Sequence, residues 1–237
     1  MNQFLNIPKW FPSNIGALNR RFEASAPEEL LRWATTMLGD DLVMSTGFGP
    51  SGIVLMHMLS NIQPWARVFY LETDLHFTET LDLRDELSGR LGLRIEPIHS
   101  GLSIDDQAKR YGPSLWQSEP DLCCELRKVN PFTGYLADKR GWITGIRRDQ
   151  SITRQNTQVV SWNETHQLIK FAPLATWSHE RVWDYIHQQD LPYNPLHDAG
   201  YPSIGCSTCT YKSTGSADDR SGRWAGLAKT ECGIHHK

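Results

Sequence analysis

A doubly wound, mostly parallel α/β sheet is the fold predicted by this sequence of 237 residues. Three observations predict it. Short apolar runs alternate with stretches of helical period, the order that builds a parallel sheet. A glycine-rich turn joins the first such run directly to a helix. The hydrophobic content, 39% of 237 residues, is enough for one sizeable core.

Residues 1–24 mix aromatic and basic side chains without a clear period and read as a short helical lead-in. Ser25-x-x-Glu28 has the form of a capping box, and Pro27 suits a first helical turn. Leu30, Leu31, Ala34, Met37 and Leu38 then fall on one apolar face, and Gly39 ends the helix. Asp41–Ser45 reads as a buried strand. Thr46-Gly-Phe-Gly-Pro-Ser-Gly52 is the turn after it, and a helix follows from Ile53 to about Leu59. Strand, glycine turn and helix aim backbone N–H groups and a helix dipole at an anion. The turn lacks the Lys-Ser/Thr of a Walker loop, and its spacing is not the dinucleotide fingerprint.

Ala66–Glu72 is the second strand, ending in Thr73-Asp74. A helix covers Thr78–Leu91, and Leu93–Pro97 is the third strand. Residues 101–118 read as a helix and a loop. A helix starting near Ser118-Glu-Pro-Asp121 carries Cys123 and Cys124 in its first turns. Trp142–Ile146 is a further strand running into Arg147-Arg-Asp-Gln-Ser-Ile-Thr-Arg154. Val159–Trp162 and Leu168–Phe171 form a hairpin or edge pair, and Ser178–His187 is an amphipathic helix. After Leu191 the pattern dissolves into a loop-rich stretch. The expected division is a lead-in over 1–24, an α/β domain over 25–200 and a terminal segment over 201–237, all one domain. In such sheets ligands bind beyond the carboxyl ends of strands, where 46–52, 73–76 and 147–154 all lie.

The net charge of −3 argues against a nucleic-acid-coating surface. Met1–Trp10 is too short and broken for a signal peptide, and no 18-residue apolar run exists. The expectation is a cytoplasmic protein with no membrane partner. There, five cysteines point to metal or catalysis rather than structural disulfides.

Four of them form two pairs, Cys123-Cys124 and Cys206-x-x-Cys209. A metal site is one reading. Zinc knuckles place two to four residues between ligands, so the adjacent pair suits a multi-iron cluster better. Zinc, and a redox couple at the C-x-x-C, stay open. Cys232 is left over, near the end of the chain, with Gly233 after it and His235 three residues on. It reads either as a surface thiol or as a nucleophile on a swinging arm, with His235 or a nearby cation favouring the thiolate. Cations recur beside these features: Arg127 and Lys128 after the first pair, Arg147, Arg148 and Arg154 after the Trp142 strand, and Arg220 and Arg223 before the tail. Next to glycine turns they suggest a polyanionic small molecule. The plainer reading is solvated charges and ion pairs, such as Arg147 or Arg148 with Asp149.

Taken together, Cys123-Cys124, Thr144-Gly-Ile-Arg-Arg-Asp-Gln-Ser151, Tyr193-Asn-Pro-Leu-His-Asp198, Gly200-Tyr-Pro-Ser-Ile-Gly-Cys206-x-x-Cys209 and Glu231-Cys-Gly-Ile-His235 resemble the thioredoxin-dependent sulfonucleotide reductases of sulfate assimilation. The resemblance runs from about Asp41 to His235. It implies an adenine nucleotide α-hydrolase-like, PP-loop-derived fold. It further implies reduction of adenylyl sulfate to sulfite and AMP through an S-sulfocysteine on Cys232, resolved by thioredoxin or a glutaredoxin-like donor. One 4Fe-4S cluster on Cys123, Cys124, Cys206 and Cys209 is implied too, since family members bearing these cysteines mostly reduce adenylyl sulfate. Catalysis would rest on Cys232, His235 and Lys128. Arg220, Arg223, Arg147 and Arg148 would bind the substrate, with the turn residues Thr46, Gly47, Gly49 and Ser51 and with Thr73. The turn departs from the Ser-Gly-Ala-Glu-Asp type of many adenylyl-sulfate enzymes. His76-Phe77 is nearer the phosphoadenylyl pattern, so a cluster-bearing 3′-phosphoadenylyl-sulfate reductase is the alternative. An ATP-using PP-loop adenylyltransferase or a non-catalytic iron–sulfur protein are remoter readings. Homo-oligomerisation is left open.

Overall fold

The structure is a computed structural model describing residues 11–213, 220, 222–226, 229 and 231–235. The lead-in residues 1–10, and Ser221 of the terminal segment, lie outside the described residues. A six-stranded sheet carries the fold, in the order β3-β2-β1-β4-β6-β5. The strands are β1 (Leu42–Ser45), β2 (Arg67–Glu72), β3 (Ile95–His99), β4 (Gly141–Ile143), β5 (Val160–Asn163) and β6 (Leu168–Phe171). All neighbours pair in parallel except β5 and β6, which form an antiparallel edge hairpin.

Strand alternation splits the core into two layers. Leu42 and Met44 of β1 face one side, with Ile143 and Ile169; Val43 faces the other, with Trp142 and Leu168. The first layer is closed by α2 (Pro27–Leu38), α3 (Pro50–Ile62), α4 (Thr78–Leu91) and α9 (His179–Gln188). The second is smaller and is closed by Phe132 and Leu136 of α8 (Asn130–Leu136).

Several elements depart from the sequence expectation for local reasons. The lead-in is a defined helix, α1 (Phe11–Phe22). Its Asn19 side chain donates to the Val160 carbonyl at 2.6 Å and accepts from the Val160 amide at 3.1 Å. The exposed edge of β5 is thereby satisfied. The Ser25 capping box does not form. Ala26 is the N-cap of α2, and the Ser25 hydroxyl turns back to the Arg21 carbonyl at 2.9 Å. Helix α3 starts at Pro50, three residues early, because Gly49 leads straight into a proline at the first position. Strand β3 begins two residues late. Gly92 ends α4 in the left-handed conformation, and Leu93 drops into the core before pairing starts. Pro97 is tolerated because β3 is an edge strand. Strand β4 ends at Ile143, since the chain then bends into the site.

Between α5 (Ile104–Tyr111) and β4, the short α6 (Leu115–Ser118) leads to α7 (Pro120–Cys124). This helix continues into α8 through a π-helical turn, Glu125–Val129. Such turns insert one extra residue and re-aim side chains, often at functional positions.

Candidate active site

The site lies where the sheet order reverses. The connection from β1 runs toward β2, while β4 sits on the other side of β1, so the carboxyl ends of the two strands splay into a crevice. Close approach there needs glycine. A Cβ on Gly145 would stand 3.2 Å from both the Gly52 amide nitrogen and the Ser51 Cβ. Side chains at Gly47 and Gly49 would meet nothing within 4 Å, so open space lies over the turn. Thr46 shapes this turn by accepting from the Phe48 amide at 3.0 Å, with Phe48 at φ 59° and buried against Tyr70. No side chain caps α3, which leaves its first-turn amides to an anion.

A large pocket opens here, lined by the β1 turn, the ends of β2 and β4, the loop at 202–206 and the chain's tail. Arg147 is 3% exposed. It donates to the Ser51 hydroxyl at 2.6 Å and to Asp149 at 2.9 Å, and its remaining terminal nitrogen, which is buried, has no partner. Arg148 does not reach the pocket. It forms a two-point ion pair with Glu23 behind α1, 3.0 Å at one contact, and donates to the Thr157 carbonyl at 2.8 Å. It thus stands apart from the other cations expected to bind substrate, which line the pocket. Thr73 borders the pocket, but its carbonyl accepts from Arg127 at 2.9 Å and its hydroxyl meets the Cys206 sulfur at 3.5 Å.

The two cysteine pairs come together. Cys123 and Cys124 leave the end of α7, while Cys206 and Cys209 sit on a loop pinned to Leu75 by the Ser207 amide at 2.7 Å. The Cys206 carbonyl holds the loop closed, accepting from Thr210 Oγ1 at 2.8 Å. All four thiols border one small cavity whose lining contains no carboxylate or imidazole. Among the described residues, no three Cys, His, Asp or Glu side chains converge closely enough to hold a single metal ion. Burial pushes the Cys123 thiol up to about 11, and burial also raises Cys124. Cys206 is buried too, but Lys128, the Thr73 hydroxyl and Arg223 outweigh that and hold it below the usual thiol range.

The π turn sends adjacent cations to different jobs. Arg127 is fully buried and donates to Gln107 at 2.7 Å, the Thr73 carbonyl and Asp74 at 2.9 Å, and the Leu102 carbonyl at 3.1 Å. Lys128 borders both the thiol cavity and the pocket. Burial works against its charge, yet the sulfurs of Cys206, Cys232 and Cys124 overcome this and raise its pKa.

The tail is docked. Cys232 packs against Trp224 and the cysteine group, and Ile234 against Phe132, Trp142 and their neighbours. His235 stacks on Trp142, 5.3 Å between centroids and 5° between planes. Glu231 receives two hydrogen bonds from Arg154, both 2.9 Å, and one from Arg220 at 3.1 Å. Arg223 has no carboxylate partner among the described residues; it lies over the Trp224 ring at 4.6 Å and fills the space a Cβ on Gly205 would take. Lys128, Arg147, Arg220, Arg223, Cys232 and His235 thus share one pocket. Sequence reasoning overlooked Trp142, Trp224, Lys170 and the pairing partner of Arg154. Their only local signal was aromatic or basic character beside the motifs.

Residues 41–212 match the family described as the phosphoadenosine phosphosulfate reductase domain. An adenosine 5′-phosphosulfate reductase of Salinibacter ruber is 50% identical over 228 residues, covering 95% of this chain and 90% of that protein. A phosphoadenosine 5′-phosphosulfate reductase of Gloeobacter violaceus is 48% identical, covering 92% of each. The crystal structure of the phosphoadenylyl-sulfate reductase of Candida auris, a phosphate complex, superposes with a TM-score of 0.74 at 32% identity, over 84% of this chain and 97% of that one.

Proposed function

The chain belongs to the phosphoadenosine phosphosulfate reductase family, and from that premise we propose that it reduces adenylyl sulfate to sulfite and AMP in sulfate assimilation. The single observation that carries this reading is Cys232, seated in the nucleotide-type pocket beside Lys128 and ringed by arginines.

The Cys232 thiolate attacks the sulfur of the phosphosulfate. The bond between that sulfur and the bridging oxygen breaks, and AMP leaves with the electron pair. The enzyme then carries an S-sulfocysteine. One thiol of a thioredoxin or glutaredoxin-like donor attacks Cys232 Sγ and expels sulfite, and the donor's second thiol closes its disulfide. Two electrons pass from dithiol to sulfur. A thiol with an ordinary pKa near ~8.5 needs cationic company to ionise at neutral pH. Lys128 and Arg223 shield the anionic nucleophile from the substrate's oxygens. Arg147, with its unpartnered nitrogen, and the α3 amides take the nucleotide phosphate. The open turn at Gly47 and Gly49, beside Thr46 and Ser51, receives the nucleoside. His235 closes the pocket from the tail side.

The four cysteines border one cavity lined by sulfur donors without carboxylate or imidazole, and the adjacent pair Cys123-Cys124 suits a 4Fe-4S cluster better than a zinc ion. When bound, the cluster supplies a charged, polarisable neighbour to Lys128. No helix among the described residues is long and apolar enough to cross a membrane.

The Gloeobacter relative's name favours a second reading, a preference for 3′-phosphoadenylyl sulfate. Against it, His76 is already engaged by the protein. Burial lowers its pKa, and Nε2 already donates to the Leu71 carbonyl at 3.0 Å. The ratio of kcat/KM for the two nucleotides separates the readings. Mass spectrometry after incubation with adenylyl sulfate tests the mechanism: wild type gains one SO₃ on Cys232, and Cys232→Ser gains none and does not turn over. An active protein lacking that adduct refutes the proposal.

A further inference from the structure

Five cations border the pocket, and the structure divides them. Arg147, Lys128 and Arg223 keep donors or charge that the protein leaves over for a ligand. Arg154 does not. Arg154 places Nε and one terminal nitrogen on the two oxygens of Glu231, and its other terminal nitrogen on Gln150 Oε1 at 2.7 Å. Arg220 adds a bond to the same Glu231 oxygen. The three side chains are only 12–15% exposed. A two-point guanidinium–carboxylate contact fixes both distance and plane, which a single ion pair does not. It is made one residue before Cys232, in a segment with no helix or strand of its own.

From this we infer that Glu231 is a positioning residue: the Arg154–Glu231–Arg220 clamp sets the register of the tail and so aims the Cys232 sulfur into the pocket. This assigns Arg154 to the tail rather than to the nucleotide. The inference rests on the reading of Cys232 as the nucleophile. Beyond the clamp, Gly233 at φ 95° lets the chain turn so that Ile234 and His235 reach their apolar seats. These contacts hold the tail down but are not directional. The carboxylate supplies the direction.

The test separates aim from binding. Single-turnover formation of the S-sulfo adduct is followed in wild type, Glu231→Gln, Glu231→Asp, Arg154→Met and the Glu231→Gln/Arg154→Met double variant. Adenylyl sulfate affinity is measured in parallel for the Gln and Met changes on a Cys232→Ser background. The expected result is an adduct rate lower by about 10- to 100-fold in Glu231→Gln, with nucleotide affinity within about twofold of its parent. Glu231→Asp recovers part of the rate because the charge returns. The double variant is no worse than the poorer single variant, since both remove one contact. An adduct rate in Glu231→Gln equal to wild type overturns the inference. So does a loss of affinity that matches the loss of rate, which places Arg154 on the nucleotide. Absence of the adduct in wild type would instead refute the proposed function.

Discussion

The Lys128 ammonium is pulled two ways: burial works against its charge, and the sulfur atoms of Cys206, Cys232 and Cys124 act the other way and raise its pKa. The same cation interacts with the sulfur of Cys232, so its removal acts on the chemical step. Lys128→Met should lower the adduct-forming rate by about 10²- to 10³-fold, by analogy with the loss of one oxyanion donor, and rapid-quench mass spectrometry reads this directly. The grouping of the other four cysteines was legible from spacing, because two pairs leave one thiol over. The partner of Glu231 was not. Arg154 lies 77 positions earlier, and nothing in either neighbourhood announces a contact that only the folded chain creates.

The π turn between α7 and α8 is the element on which the site hangs. By displacing one residue from the helical ladder it buries Arg127 toward the end of β2 while Lys128 faces the thiols and the pocket. Arg127 binds two carbonyls, a carboxylate and an amide, all from the chain between Thr73 and Gln107. Arg127→Met strips that region of its shared donor and should cost about 3–5 kcal/mol, visible as a lower denaturant midpoint with an unchanged slope. Helix α4 was readable end to end, since a strong helical stretch is bounded there by Pro-free turns and a terminal glycine. The strands' alternation and the glycine turn likewise gave the sheet and the position of the crevice. The π turn was invisible, because a one-residue bulge leaves no mark in apolar periodicity. Helix α1 was expected as a helical lead-in but its bounds were not legible, because much of its stabilisation is tertiary, through Asn19 on the β5 edge.

Across the whole molecule, charge is concentrated where the sheet opens. Lys170 on β6 lies 5.0 Å from the Trp142 ring centroid. Burial first, and then Arg154, hold its pKa down at about 8 against the pull of Glu231. His166 also faces it. Between about 8 and 10.5, the unfolded chain keeps a proton on this lysine that the folded chain has lost. Its contribution to stability therefore rises with pH across that window and is complete above it. Urea midpoints of wild type should gain on those of Lys170→Met as pH climbs through this range. The docked tail carries a consequence for timing. Glu231, Cys232, Ile234 and His235 form part of the pocket wall, so an S-sulfo group made on Cys232 faces a space too small to admit a protein donor. The donor meets Cys232 in a state in which that wall has swung out. The observed rate of sulfite release should level off at high donor concentration, at the frequency with which the wall opens.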